Sequence, residues 1–586
     1  MMQTNLLDAK HGAITDAASG ETVYAEPSMT STPSLLPQHR ASEQAQFLPW
    51  LIVLGGVLTF FLNALVDNAV VFHDEYVYKA AADLRLSAAE LYEKGAIEYI
   101  PNRLFLLVYS IASYGKQNFY IAAQFLNVVF WSIGIYFVCR LAQLLGLHGK
   151  RLKMFAGVAI LLPFSIYTKY FMPESMFFCL FAFSAYLLFT AIVTKSAHYM
   201  LGAGIAAGLA YYVKPHALIF FGVTLIFLAA VRADLHGRWR SVGLYGVGFV
   251  LIVLIGTSVI DKPQSLARLG VYDQMVKGMM ATSATMLNDP WNNLRMLGTV
   301  GLGHLILLLS VWTLALGSAG SAVFGRLRSR RAGQTEQPAR LFNMWLMAVM
   351  LALAAVVIAF TVLVAEVGRI HSRYYCFAYP FLLLSLFLYE PAHHGRTFKI
   401  VMTVMGVGAG LAVLALPMYS SILGISLVSD SPELGFAFFE RSLVSLAVLA
   451  LVAAHAWTTW RKPMASYLVL AVLFVASQYY VREAQGHLFR GPYTDGRDAL
   501  AVEQLLGADV LRASLVVAEN RDALSKFLFN LSVVPIVTIR PLDDIDQLLK
   551  DYPVAGTYLF LADKIGDTPQ LDCEKLGERV LRCIRQ

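Results

Sequence analysis

Charge is what this sequence has least of. Only 15% of its 586 residues are Asp, Glu, Lys or Arg, against 57% hydrophobic, and the mean hydropathy is +0.59. Such values exclude a soluble globule. Cysteine is scarce as well, with five in the chain, which excludes a disulfide-held scaffold. The bases outnumber the acids by 46 to 39, a net charge of +7. They are scattered between apolar runs rather than gathered into a patch or arm, which argues against a nucleic-acid partner. The N-terminus lacks the basic, apolar and small-residue order of a cleaved signal peptide. Residues 1–46 are polar, rich in Ser, Thr, Ala and Gln, and read as a disordered cytoplasmic tail.

Apolar runs are what the chain has in abundance. A bilayer-spanning helix needs about 20 largely apolar residues, and runs of that size recur from Phe47 to Tyr480. The pattern predicts an α-helical polytopic membrane protein with about thirteen transmembrane helices. The first are expected at 47–66, 118–146, 154–169, 174–193 and 199–213, and the last at 464–480. With the N-terminus inside, the inner loops carry Lys150, Arg151, Lys153, Lys195, Arg232, Arg238, Arg240 and the run Arg326, Arg328, Arg330 and Arg331. These loops follow the positive-inside rule. The opposite side collects nearly every loop carboxylate, from Asp74 and Glu75 through Glu174 to Glu440. An odd number of spans then places residues 481–586 outside.

That last segment alternates: a helix over 498–511, strand 514–519, helix 521–531, strand 533–539, helix 542–552 and strand 556–562. The alternation predicts a small soluble α/β domain. No glycine-rich fingerprint follows its strands, so a nucleotide site has no support. Cys573 and Cys583 fall in this domain, where export would let them pair. Cys139, Cys179 and Cys376 sit in or beside apolar helices and read as packing residues.

The first outer loop, 67–117, holds the most informative segment, Val70-Val71-Phe72-His73-Asp74-Glu75-Tyr76. An acidic pair just beyond a span lies at the aqueous interface. There an ionised carboxylate can act as a base or hold a cation without the desolvation cost of the bilayer centre. On composition alone the pair reads more readily as solvated loop acids. The apolar stretch Leu104 to Tyr114 is short for a span and suits the interface plane. Transporters place charges near the midplane and repeat their helices in two matching halves. Neither feature is present here.

In this order and on this common side, the motifs resemble the GT-C superfamily of polytopic glycosyltransferases, especially the branch of aminoarabinose transferases and protein O-mannosyltransferases. That branch carries an Asp-Glu pair in a long first outer loop, matched by Asp74-Glu75. Its Pro-Pro-Leu-like stretch has an imperfect match in Ile100-Pro101-Asn102-Arg103-Leu104. Its second acidic site between the third and fourth spans is matched by Tyr170-Phe171-Met172-Pro173-Glu174-Ser175. Its later Arg-Tyr with prolines looks like Arg369-Ile370-His371-Ser372-Arg373-Tyr374-Tyr375 and Pro380. The resemblance covers residues 47–480 as architecture.

The resemblance implies inverting transfer of a sugar from a polyprenyl-phosphate donor to a glycolipid, glycan or protein acceptor on the outer face of a membrane. Asp74 would be the general base, with Glu75 and Glu174 positioning it, the sugar or a cation. Arg373, Lys214, Arg369, Arg103, His371 and Tyr374 would form the donor phosphate site, since fixed cations neutralise a phosphate leaving group. Relatives differ in their need for a divalent cation. Asp74, Glu75 and Glu174 are the candidate ligands, and the metal stays open. The implied location is a bacterial inner membrane with the C-terminal domain periplasmic. The rival readings are a lipid or sugar translocator and a polysaccharide polymerase or ligase.

Overall fold

The computed structural model of the chain describes residues 38–64, 102–231, 235–259, 290–329, 337–362, 369–370, 373–389, 394–423, 426–427, 441–460 and 493–519. It also describes Glu75, Tyr78, Lys79, Ala82, a few positions between 469 and 479, and most of 523–585. Residues 1–47 and 48–586 form separate compact units. The first helix, α1 (Gln38–Ala64), begins ahead of the expected Phe47. Ala41, Glu43, Gln44, Ala45 and Gln46 are good helix formers and extend it; residues 1–37 lie outside the described part.

The bundle follows as α2 (Arg103–Tyr109), α3 (Phe119–Leu144), α4 (Gly149–Ile160), α5 (Glu174–Thr194), α6 (Ala197–Val213), α7 (Ala217–Val231) and α8 (Leu235–Val259). After these come α9 (Pro290–Ser329), α10 (Pro338–Phe360), α11 (Tyr379–Leu388), α12 (Arg396–Leu423) and α13 (Arg441–Trp460). Four of the described helices, within α3, α5, α8 and α10, are long and apolar enough to cross a membrane. The two halves of α9, bent by 98° at their junction, would make a fifth, and α1, α2, α7 and α11 contribute shorter apolar stretches.

Prolines set several of the breaks. Pro163 has no N–H to donate and forces Leu162 into extended backbone (φ −56°, ψ 137°), so the expected span 154–169 is interrupted. Helix α4 stops at Ile160, and 163–168 is a 3-10 turn. Pro215 likewise holds Lys214 extended (φ −153°, ψ 121°) and ends α6 there.

Two devices pack the bundle. Gly204 and Gly208 on α6 face α8: a Cβ on Gly204 would collide with the Tyr245 carbonyl, and one on Gly248 with that of Leu201. Backbone contact this close requires glycine. The centre is aromatic, with Phe181 at 5.1 Å from both Phe377 and Phe381, 4.9 Å from Phe220 and 5.7 Å from Trp345. These contacts draw together α5, α7, α10, α11 and the 3-10 turn Cys376–Ala378 that leads into α11. Helix α2 buries Phe105 and Tyr109 and exposes Leu107, and the turn after it exposes Ile111 and Tyr114.

Two short strands, β1 (Arg369–Ile370) and β2 (Ser426–Leu427), pair in parallel between bundle helices. Beyond the bundle, α14 (Tyr493–Leu506), α15 (Ala508–Ala513) and α16 (Ile545–Asp551) accompany five strands. These are β3 (Leu515–Ala518), β4 (Ile536–Ile539), β5 (Thr557–Phe560), β6 (Leu571–Lys575) and β7 (Leu581–Arg585). Their order is β4-β3-β5-β7-β6, with β3, β4 and β5 parallel and β7 antiparallel to its neighbours. Alternate residues of β3 enter two cores, Val516 and Ala518 against Val502 and Phe527, and Leu515 and Val517 against Leu549 and Tyr558. This is the expected α/β domain, enlarged by β6 and β7. Cys573 and Cys583 stand opposite each other on those two strands and are joined by a disulfide. The other three cysteines are buried.

Candidate active site

The segment between α4 and α5 is not α-helical, yet its residues 164–173 are buried. Backbone polar groups at such depth need partners. Helix α3 supplies them from one face, through Tyr120, Gln124 and Asn127, which lie at successive turns. Tyr120 Oη donates to the Lys169 carbonyl at 2.6 Å and Gln124 Nε2 to the same oxygen at 3.2 Å. Asn127 Nδ2 donates to the Tyr170 carbonyl at 2.6 Å, while its Oδ1 accepts from Tyr109 at 2.5 Å. Asn63 Nδ2 adds a bond to Thr168 Oγ1 at 2.7 Å. The rigid turn delivers Glu174 at the first position of α5, with Pro173 before it.

Glu174 is 2% exposed, and its Oε1 accepts from Lys214 Nζ at 3.0 Å and lies 3.4 Å from Arg373 Nε. Its Oε2 has no hydrogen-bond partner among the described residues. The Tyr374 ring sits beneath both cations, with Lys214 Nζ 5.5 Å and the Arg373 Cζ 5.9 Å from its centroid. His216 stacks on the same ring at 5.2 Å and 21°. The residue as a whole is only partly buried, but Nδ1 is sealed and has no hydrogen-bond partner among the described residues. It lies in the turn between α6 and α7. Burial first, and then the Lys214 and Arg373 charges, push its imidazole down to about 3.

The segment between α1 and α3 also reaches this cluster. Asn102 Nδ2 donates to the Val213 carbonyl, next to Lys214, at 2.6 Å, and Tyr78 Oη to Asn102 Oδ1 at 3.4 Å. Glu75 is fully buried at the start of the helical positions that include Tyr78 and Lys79. Lys79 Nζ donates to the carbonyl of Leu531, in the C-terminal domain, at 3.3 Å and lies 5.9 Å from the Phe119 ring.

Of the residues expected at the site, Glu174, Lys214, Arg373 and Tyr374 come together in contact. Arg103 follows Asn102 and opens α2. Arg369 is described by its backbone alone, in β1, and Asp74 and His371 lie outside the described residues. No three His, Cys, Asp or Glu among the described residues are grouped so as to hold a metal ion. Sequence reasoning placed Asn102 in a motif without a role of its own, and overlooked the Tyr120, Gln124 and Asn127 face. The signal for the latter was a polar stripe at helical spacing along an otherwise apolar helix.

An apolar bundle that gathers its buried acid and bases at one end, followed by an α/β domain, has the fold of the GT-C class of polytopic glycosyltransferases. Among solved structures, the chain is similar to ArnT from Cupriavidus metallidurans in the apo state, with a TM-score of 0.53 and 14% identity over 92% of this chain and 98% of that one. It is similar to the same protein bound to undecaprenyl phosphate, with a TM-score of 0.51 and 15% identity over 91% and 97%. A weaker likeness, with a TM-score of 0.44 and 11% identity over 88% and 69%, is to an oligosaccharyltransferase from Archaeoglobus fulgidus tethered with an acceptor peptide. At these identities the likeness is one of fold. No family model and no curated protein matches the sequence.

Proposed function

We propose that this protein is an inverting glycosyltransferase that moves a sugar from a polyprenyl-phosphate donor to a glycolipid or glycan of the cell envelope. The reaction takes place at the outer face of a bacterial inner membrane, with the N-terminus cytoplasmic and the C-terminal domain periplasmic. The observation that carries this reading is the cluster of Lys214, Arg373, Tyr374 and His216 around the buried Glu174, at one end of apolar helices. Two adjacent, largely shielded cations suit a lipid-borne phosphate, since fixed donors stabilise charge that develops as a bond breaks. The fold lends support, because the similar ArnT has been solved with undecaprenyl phosphate.

In this scheme Asp74 removes the proton of the acceptor hydroxyl as that oxygen attacks the anomeric carbon. The bond from that carbon to the phosphate oxygen breaks, and its electron pair leaves on the phosphate beside Lys214 and Arg373. The direct test uses purified full-length protein in proteoliposomes with a radiolabelled polyprenyl-phosphate sugar and extracted membrane glycolipids. Label should pass to the glycolipid with wild type and be lost with Asp74→Asn, which keeps size and removes the base. Undiminished transfer by that variant would sink Asp74 as the base, and movement of intact donor across the bilayer without transfer would sink the enzyme reading.

A further inference from the structure

The cluster holds one more charged group than a simple phosphate site needs. Lys214 and Arg373 would suffice as cations, yet Glu174 is buried between them and engages both through one oxygen, at 3.0 and 3.4 Å. A resident carboxylate spends attraction that the substrate phosphate would otherwise receive. It also changes the charge of the site from +2 to +1, counted over the three groups in contact.

That difference matches a difference between the two lipids of the proposed reaction. A polyprenyl-phosphate sugar is a phosphodiester and carries one negative charge. Once the acceptor oxygen has bonded to the anomeric carbon and the carbon–oxygen bond to phosphate has broken, the lipid that remains is a phosphomonoester. Its charge at neutral pH is about −1.5 to −2. In a buried site the excess charge is felt strongly, because little water remains to screen it. The three described groups together, at +1, are neutralised by the diester and overfilled by the monoester.

We propose that Glu174 is a specificity-determining counter-charge, which lets the Lys214–Arg373 site hold the phosphodiester donor and release the phosphomonoester product. The proposal rests on the reading of Lys214 and Arg373 as the phosphate site. It differs from a purely structural role, in which Glu174 keeps two buried cations from repelling each other. A structural loss would weaken both lipids alike, whereas a counter-charge acts on the ratio between them.

The test measures equilibrium binding to the full-length protein in nanodiscs, with polyprenyl phosphate as the monoester and its methyl ester as an unreactive diester. Wild type should bind the diester at least as tightly as the monoester. Glu174→Gln should shift the ratio toward the monoester by about tenfold or more, with stronger product inhibition of sugar transfer, and Glu174→Asp should keep the wild-type ratio. Lys214→Gln gives the opposite displacement, with the monoester losing more affinity than the diester, and serves where Glu174→Gln does not fold. A ratio unchanged in Glu174→Gln, or in Lys214→Gln where that is the variant measured, overturns the role of Glu174 even when both lipids bind. Wild type that binds neither lipid, and is matched by Arg373→Ala, overturns the phosphate reading itself and this proposal with it.

Discussion

A carboxylate buried with two cations is held by the pairing and not by water, so the sign of each substitution depends on which charge is left behind. Replacing Lys214 by Met leaves Glu174 sealed, with Arg373 at 3.4 Å as its remaining cation among the described residues. Breaking such a pair should cost about 3 kcal/mol. Adding Glu174→Gln to Lys214→Met removes the stranded charge, so the double variant should unfold at a higher temperature than Lys214→Met while neither transfers sugar. Thermal unfolding in detergent beside the transfer assay separates the two effects. Asn127 supports the same site differently, by filling the Tyr170 carbonyl and the Tyr109 hydroxyl. Asn127→Ala leaves both without this partner and should lower stability by about 1–3 kcal/mol. The residues themselves were partly legible: Glu174, Lys214, Arg373 and Tyr374 stand out as polar groups at the ends of apolar runs. Their mutual contact was not, because Glu174 and Lys214 lie 40 residues apart and nothing local encodes the approach. Asn127 was hidden for another reason, since one amide in a long apolar helix leaves hydropathy almost unchanged.

Helices carry the geometry that such contacts need, and the seam between α6 and α8 is the tightest of them. Gly248→Ala would drive a methyl group against the Leu201 carbonyl. It should destabilise the bundle by about 1–3 kcal/mol, the range of overpacking. Gly246 lies on the same helix with nothing within 4 Å of its missing Cβ. Gly246→Ala should therefore be neutral or stabilising by about 0.5–1 kcal/mol. A shared unfolding midpoint for the two variants would contradict the seam. Apolar length made α3, α5 and α6 readable nearly to their ends. The break before Pro163 was missed because the residues around it are apolar and a window of hydropathy runs straight through. Strands β6 and β7 escaped for the opposite reason. Asp572, Glu574, Lys575, Arg582 and Arg585 give a charged pattern that reads as loop, whereas on β6, the edge strand, such charge discourages further pairing.

The contacts sort the two ends of the molecule without any appeal to loop charge. At one end, Asn102 reaches Val213, Glu174 joins Lys214 to Arg373, and Lys79 reaches Leu531 of the C-terminal domain. At the far ends of α4 and α11, Arg151 donates to the Phe387 carbonyl at 2.5 Å. The charge sorting expects the first of these groups outside and the second inside. Bonds such as that between Cys573 and Cys583 persist where thiols are oxidised. Cys573→Ser with Cys583→Ser should destabilise the C-terminal domain by about 2–4 kcal/mol, read as faster proteolysis of that domain at elevated temperature. The remaining cysteines, Cys139, Cys179 and Cys376, are buried, so a membrane-impermeant maleimide reports on a new cysteine with little background. Gln504 and Lys150 are both exposed, the first on the C-terminal domain and the second beside Arg151. In intact spheroplasts Gln504→Cys should label at once, and Lys150→Cys only after permeabilisation. The reverse pattern would invert the orientation while leaving the ends correct. Labelling of both from outside would break the link between the contact network and the sides of the membrane, and with it the placement of the sugar-transfer site beside the C-terminal domain.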